Sequence, residues 1–571
     1  MLSSRRSRMA RRVLARDSLP SDEVVLPRQS KRTAPQPPKG PCVDLLHPEP
    51  RMTIDDDLLV PQLGFAFAGG DAADTIKHYL SEVCLERSDW ESASFAKHLY
   101  VDHLIQVVCI PEIDGKPRSI DQKTLLALLT NPPADPAILD HRRAILARLA
   151  EDEGLRTELV ELYRRLEKLR KLFLVTQQEG RDELFHRRLE TLAAIRAIVE
   201  HMASGFDDPD SPLKTVRETG AQIAASEGFG KLCDLLDHER NLATVDLSLQ
   251  LGADGRVRKF GVGRIAENSD NRFYESPTQR LWSRILLWLR GYRFNENELV
   301  NRWIDAVYVE VEPLLPGLLQ LVGQVEFYLA ALAFRDRCAK AGLEVSMPDL
   351  SSDGPRRIEG LFNPLLFAQN VTPVPCDLDT RGPGAITLVT GPNSGGKTRL
   401  LQALGLTQLL AQVGFFVPAR QATLRRVPGI FCSLVQEEAF DQAEGRLGTE
   451  LLRIRRLFER ARPGALVILD ELCSGTNPSE GEEIFMLVIS LLNELEPETF
   501  VTTHFLGFAH RLQERADELG LSFLQVELDE HEHPTFGFVE GVASTSLAAQ
   551  AAARLGVTRE ELLTLVKRKT S

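Results

Sequence analysis

The chain has 571 residues, 43% of them hydrophobic and 26% charged, enough for a large core divided among roughly three or four domains. A net charge of −13 argues against a protein that coats nucleic acid by bulk charge, while leaving room for a local basic groove. No apolar run reaches the ~20 residues of a membrane-crossing helix, and the longest candidate, "LVGQVEFYLAALAF", carries Glu326 in its middle; a soluble protein with no membrane partner is expected. Cysteines at 42, 84, 109, 233, 338, 376, 432 and 473 form no C-x-x-C pair, zinc spacing or disulfide framework, so a reducing, cytoplasmic setting is expected.

The chain opens with "MLSSRRSRMARRVLAR", rich in arginine and free of acid, followed by a proline-rich tract. Residues 1–50 are therefore expected to form a disordered basic tail, with an organelle transit peptide as the competing reading and Met52 as an alternative start. Residues 51–135 form an N-terminal module without a recognisable motif. Residues 136–374 read as a helical region. In "GLRTELVELYRRLEKLRKLF", Leu155, Leu159, Leu162, Leu166, Leu169 and Leu172 recur in steps of four and three, a coiled-coil seam with charged flanks. Further apolar stripes run through Phe185, Leu189, Leu192 and Val199, and through Leu315, Leu318, Val322, Val325, Leu329 and Leu332. Long helices packed lengthwise follow. Near 244–265, "VDLSLQLGADGRVRKFGVGRI" alternates apolar and polar residues about a Gly-Ala-Asp-Gly turn and predicts a β-hairpin. Its second arm carries Arg256, Arg258, Lys259 and Arg264, which suit either a solvated hairpin or a tip that touches nucleic-acid phosphates.

Residues 375–571 carry the chemistry. Residues 385–390 form a short apolar strand, and residues 391–398 fit G-x-x-x-x-G-K-[ST] ahead of helix-forming sequence. Glycines at this spacing let backbone N–H groups turn inward around phosphate oxygens. Gly391, Pro392, Asn393, Ser394, Gly395, Gly396, Lys397 and Thr398 are thus expected to hold a nucleoside triphosphate, with Lys397 on the β/γ-phosphates and Thr398 on Mg²⁺. In "ALVILDELCSGTNPSEGEEIF" a second buried strand ends in two acids, of which Asp470 suits the Mg²⁺ shell and Glu471 suits orienting and deprotonating a water. A third strand-like run, "TFVTTHF", reaches His504, placed to sense a γ-phosphate or the attacking water.

"TGPNSGGKT", "LLAQVGFFVPARQATL", "LVILDELCSGTNPSEG", "TTHF" and "GVASTSLAAQAAARLGV" together resemble the ATPase domain of MutS-type proteins, an ABC-type α/β P-loop fold. "IEGLFNPLL" resembles the segment leading into that domain, and "DHRRAILARL" the start of the lever helices, so the resemblance implies a helical lever and clamp region before the ATPase domain. It also implies ATP and Mg²⁺ as cofactors, an ATPase acting on DNA in repair or recombination, and a homodimer whose sites sandwich ATP. By the same resemblance Asn393 lies near the adenine or ribose, and Phe362 is an adenine-stacking candidate. The family's serine-containing signature turn is replaced by "EGRLGTELLRIRRL", which offers Thr449, Gly445 and Gly448. No N-terminal mismatch-binding domain is recognisable. "NRFYESP", with Phe273 and Glu275, is the nearest match to the family's Phe-x-Glu wedge and lies far from an N-terminal module, so branched or otherwise structure-specific DNA is the expected partner. The alternatives are an SMC-like or transporter-type ABC ATPase with a mechanical role, and an ATP-binding scaffold. An SMC-type chain would place its coiled coil between the two nucleotide motifs, and a scaffold has no use for Glu471.

Overall fold

A computed structural model of the chain describes residues 34–570 except 87, 177–179, 242–243, 252–256, 267–295, 352–353, 383, 435–444, 474–476 and 545–556. All of these fall in the unit Thr33–Ser571. Its first half is mainly helical: α1 (Asp56–Phe67), α2 (Ala73–Ser81), α3 (Val101–Val108), α4 (Gln122–Thr130), α5 (Pro136–Glu151), α6 (Glu153–Phe173), α7 (Arg181–Ser204), α8 (Lys214–Ala224), α9 (Glu227–Asn241), α10 (Glu296–Val311) and α11 (Leu315–Lys340). A two-residue ladder, β1 (Glu112–Ile113) with β2 (Lys116–Pro117), and an antiparallel hairpin, β3 (Thr244–Leu251) with β4 (Val257–Ala266), interrupt them. Arg256, Phe273 and Glu275 lie outside the described residues.

Local chemistry accounts for the helix starts. Asp121, Asp135 and Asp152 each cap a helix by accepting hydrogen bonds from backbone N–H groups of its first turn, and Pro136 occupies the first position of α5, where a missing N–H costs nothing. The α6 seam buries Leu155, Leu159, Leu162, Leu166 and Leu169 and closes on Phe173, while Leu172 is only half-buried. It packs against α7 and α11.

Helix α11 is buried on every side, as a helix apolar all round must be. Within Asn301–Lys340 one stretch is apolar enough to suit a bilayer, a property that counting uninterrupted apolar runs overlooks; 94% of it is buried inside the protein. Glu326, 2% exposed, accepts from the Asp121 N–H at 2.8 Å and the Tyr163 hydroxyl at 3.2 Å, and pairs with Arg170 at 3.2 Å. Burial raises its pKa against the opposing pull of these partners.

The expected disordered tail of residues 1–50 is corrected from residue 34 onward. Val43, Leu45, Leu46, Met52 and Ile54 are buried core residues. Three side chains at four-residue spacing on α11 hold this segment. Gln320 accepts from the Thr53 N–H at 2.6 Å, Gln324 accepts from the Leu45 N–H at 2.9 Å and donates to Asp44 at 2.8 Å, and the Tyr328 hydroxyl donates to the Leu45 carbonyl. One helix face thus supplies the hydrogen-bond partners of a segment that has no ladder of its own there. Proline content suggested a solvated tail, but the apolar residues between the prolines decide its burial.

The second half is an α/β domain. A six-stranded sheet has the order β10 (Ile430–Ser433), β11 (Leu466–Leu469), β12 (Glu498–Thr502), β8 (Ile386–Thr390), β13 (Leu521–Leu528), β14 (Pro534–Glu540), parallel throughout except for the β13–β14 pair. A smaller sheet of β5 (Asp349–Ser351), β9 (Gln421–Arg425), β6 (Arg357–Leu361) and β7 (Cys376–Asp379) lies before and between these strands in sequence. The helices are α12 (Lys397–Val413), α13 (Gly445–Arg460), α14 (Pro478–Leu495), α15 (Leu506–Gln513), α16 (Ala516–Leu519) and α17 (Arg559–Thr570). Strands β8, β11 and β12 are wholly buried, as strands inside a parallel sheet should be; β11 is a continuous apolar run, while β8 and β12 bury polar residues as well, Glu498 among them. Helix α12 is almost entirely buried too, because it packs against the sheet and against α4 of the helical half.

Candidate nucleotide site

The loop between β8 and α12 is shaped by what lies beneath it. Gly391 has φ 136° and Gly396 φ 89°, backbone regions that favour glycine. A Cβ on Gly391 or Gly395 would stand 2.6 or 2.8 Å from the Val526 side chain of β13, so the loop hugs the sheet only because those atoms are missing. Asn393 and Ser394 are exposed at its crest. The first turn of α12 follows, with its N–H groups at the open end of the loop.

Lys397 is 5% exposed, and its ammonium donates to the carbonyls of Gly391 at 2.9 Å and Pro392 at 3.0 Å. Desolvation lowers its pKa, and the nearby Glu471 and Asp470 work in the opposite direction. The Thr398 hydroxyl donates to Asp470 Oδ2 at 2.7 Å. The parallel register of β11 and β12 places Thr502 beside this pair, where its hydroxyl donates to Asp470 Oδ1 at 2.5 Å and accepts from the Glu471 N–H at 2.7 Å. Glu471 has φ 47°, uncommon for a residue with a side chain. Sequence reading passed over Thr502; the doubled threonine of "TTHF" at a strand end was its signal.

The other expected residues divide. His504 lies just past β12, exposed, with its ring 4.2 Å from that of Phe505; among the described residues no hydrogen bond joins it to Asp470 or Glu471. Thr449 is the fifth residue of α13, just past its first turn. A cleft of about 560 Å³ opens beside the loop, lined by Phe362, Asn393, Ser394, Lys397, Thr398 and Phe536 among others. Phe362 is 2% exposed, so its ring is already packed and offers little free face. Phe536 on β14 is 46% exposed, and its ring lies 3.4 Å from where a Cβ on Gly396 would stand. It is the better-exposed aromatic wall of the cleft, and nothing in "HPTFGFVE" distinguishes it from an ordinary edge-strand residue.

The donor set fits a hard divalent cation: a hydroxyl and a carboxylate, both oxygen ligands, already stand within hydrogen-bonding distance at Thr398 and Asp470. The loop fits an anion, offering glycine turns, a helix start and a buried ammonium together.

Comparison with known proteins agrees with this geometry. Residues 387–564 match the family model MutS domain V. The chain is similar to Endonuclease MutS2 of Streptococcus mutans serotype c, at 32% identity over 38% of this chain and 27% of the relative. It is similar to Endonuclease MutS2 of Caldanaerobacter subterraneus subsp. tengcongensis, at 26% identity over 51% and 34%. Endonuclease MutS2 of Thermomicrobium roseum is 31% identical over 46% of this chain and 36% of the relative. The matched part thus spans about a third of each relative's length.

Proposed function

From the chain's membership of the MutS family, established through its C-terminal domain, we propose that it is an ATPase that binds ATP with Mg²⁺ on the loop 391–398 and couples hydrolysis to the handling of DNA. The observation that carries this reading is the convergence of Lys397, Thr398, Asp470 and Glu471 at the carboxyl ends of three adjacent parallel strands. Such strand ends are where open α/β sheets bind their ligands.

In this reading Lys397 exchanges the carbonyls of Gly391 and Pro392 for phosphate oxygens, and the loop and helix N–H groups orient the triphosphate. Thr398 and Asp470 would hold Mg²⁺, which would neutralise charge on the phosphates. Glu471 orients a water and takes its proton, and His504 faces the γ-phosphate side once the site closes. Phe536 supplies an aromatic face for the base, with Asn393 near the ribose. The turn at Gly445, Gly448 and Thr449 serves the nucleotide of a second copy, so the working form is a homodimer.

The helical half serves as lever and clamp, and the β3–β4 hairpin with its basic second arm is the DNA-contacting candidate. The relatives' printed name, an endonuclease, supports a nucleic acid as the partner. Branched or structure-specific DNA in repair or recombination is the favoured substrate, with mismatch recognition outside the reading. None of the eight cysteines is in a disulfide, which suits a cytoplasmic setting.

The test is Glu471→Gln. It should bind ATP as the wild type does and lose turnover by on the order of a hundredfold or more, the usual contribution of a positioned base. Wild-type turnover in the variant would remove Glu471 from the site. Band-shift titrations against homoduplex, mismatched, forked and four-way-junction DNA, with and without ATP at stated salt, test the partner.

A further inference from the structure

Helix α13 contributes more to the strand ends than its N-terminal turn. Arg453 projects from it onto main-chain oxygen. Its Nη2 donates to the Asp470 carbonyl at 2.7 Å and to the Ser433 carbonyl, and its Nε donates to the Ser433 hydroxyl. Ser433 ends β10 and Asp470 follows β11, and the Asp470 N–H also donates to the Ser433 carbonyl, at 3.0 Å. One guanidinium therefore ties a helix to the ends of two parallel strands. It leaves the Asp470 carboxylate to Thr398 and Thr502.

The peptide between Asp470 and Glu471 is a rigid plane. Its carbonyl is held by Arg453, and its N–H, on the opposite edge, is held by the Thr502 hydroxyl at 2.7 Å. That plane sets where both carboxylates point, since one hangs from the residue before it and the other from the residue after. Glu471 has the left-handed φ of 47°, which persists only where surrounding contacts over-determine it. Arg453 and Thr502 are two such contacts.

We propose that Arg453 is a positioning residue that holds the Asp470–Glu471 peptide and so ties the orientation of the Mg²⁺ ligand and the base to the placement of helix α13. This rests on the ATPase reading above. Arg453 touches neither nucleotide nor metal; it acts through the peptide. Because its helix begins at Gly445, a second copy's nucleotide engaging that turn would shift the guanidinium and turn the peptide plane with it. Binding in trans and the geometry of the acids in cis are then one mechanical event.

The experiment uses the full chain with Arg453→Gln and Arg453→Lys, and Arg455→Gln as control, because Arg455 is exposed and pairs with Glu459 on its own helix. Mn²⁺ is the metal probe, titrated by electron spin resonance in the presence of ATP, alongside metal-free ATP affinity and single-turnover hydrolysis. The proposal expects Arg453→Gln to weaken Mn²⁺ binding and slow turnover by tenfold or more each, with metal-free ATP affinity within twofold of wild type. Arg453→Lys, whose ammonium reaches one carbonyl at a time, should recover part of both. Faster amide exchange at Glu471 in the Gln variant would show the released peptide directly. Unchanged Mn²⁺ affinity, an equal loss in Arg455→Gln, or a parallel fall in metal-free ATP affinity overturns the proposal. Should Arg453→Gln fail to fold, Arg453→Lys carries the same expectation at smaller amplitude. A wild-type protein that binds no ATP would instead overturn the ATPase reading itself.

Discussion

The two ends of the central parallel sheet bury polar groups to different purpose. At the carboxyl ends, Thr398, Asp470 and Glu471 are only half-buried, and Lys397 spends its hydrogen bonds on carbonyls of its own loop. At the amino end of β12, Glu498 and Arg356 are 2% and 1% exposed and meet in a two-pronged pair at 2.9 and 2.7 Å, with the Thr380 hydroxyl adding a third donor at 3.1 Å. Arg356 immediately precedes β6 and Thr380 follows β7, so this pair fastens the small sheet to the large one. The same strands thus offer re-formable contacts at one end and closed ones at the other. A ligand can compete for the first set; the second set can only be broken.

The strongest way to test this contrast is Arg356→Ala. It strands the Glu498 carboxylate in the core and should cost about 3–5 kcal/mol, measured by urea unfolding, while any folded protein at low temperature still binds ATP. A loss under about 1 kcal/mol would place the pair with ordinary surface ion pairs. At the other end Lys397→Ala should leave the nucleotide-free protein as stable as wild type, since it removes an ammonium disfavoured by desolvation. Nucleotide affinity should fall by about 1.5–3 kcal/mol, the worth of a charged hydrogen bond, in a direct titration; a stability loss without an affinity loss would reverse the assignment of the two ends.

The smallest effect lies in acid. Burial alone would raise the Glu498 pKa, but the charge and hydrogen bonds of Arg356 and the Thr380 hydroxyl outweigh it and hold the carboxyl below its usual range. Such a group contributes stability that is full above the unfolded glutamate pKa of about 4.3 and is lost as pH falls through the lower folded value. The double variant Arg356→Met/Glu498→Leu should keep nearly wild-type stability at neutral pH. Below about pH 4.3 its stability curve should be flatter by up to about 1.4 kcal/mol per pH unit, one proton's worth. An unflattened curve would mean that other carboxylates govern acid unfolding.

The site was legible in sequence where chemistry needs particular residues at fixed spacing. Gly391 and Gly395 answer to Val526 packing beneath them, and Asp470 and Glu471 sit where the apolar run of β11 stops. Residues that act through geometry alone left weaker traces. Phe536 and Arg453 come from an edge strand and a helix that reach the site only when the sheet is assembled. The α6 seam was readable because its periodicity repeats over about five turns; the 34–54 segment was not, because its partners lie on α11. Composition weighs a segment against water, and this one is solvated by Gln320, Gln324 and Tyr328 instead.

The hold of α11 on the 34–54 segment bears on how the chain is made. The bonds from Leu45 to Gln324 and Tyr328 span 279 and 283 residues. At about 5–20 residues per second a ribosome needs roughly 15–55 s to bring α11 out after that segment. During that interval the Leu45 N–H and carbonyl lack Gln324 and Tyr328, although Arg142 of α5 is already there for the Leu46 carbonyl, so the helical half completes its packing only after its last helix emerges.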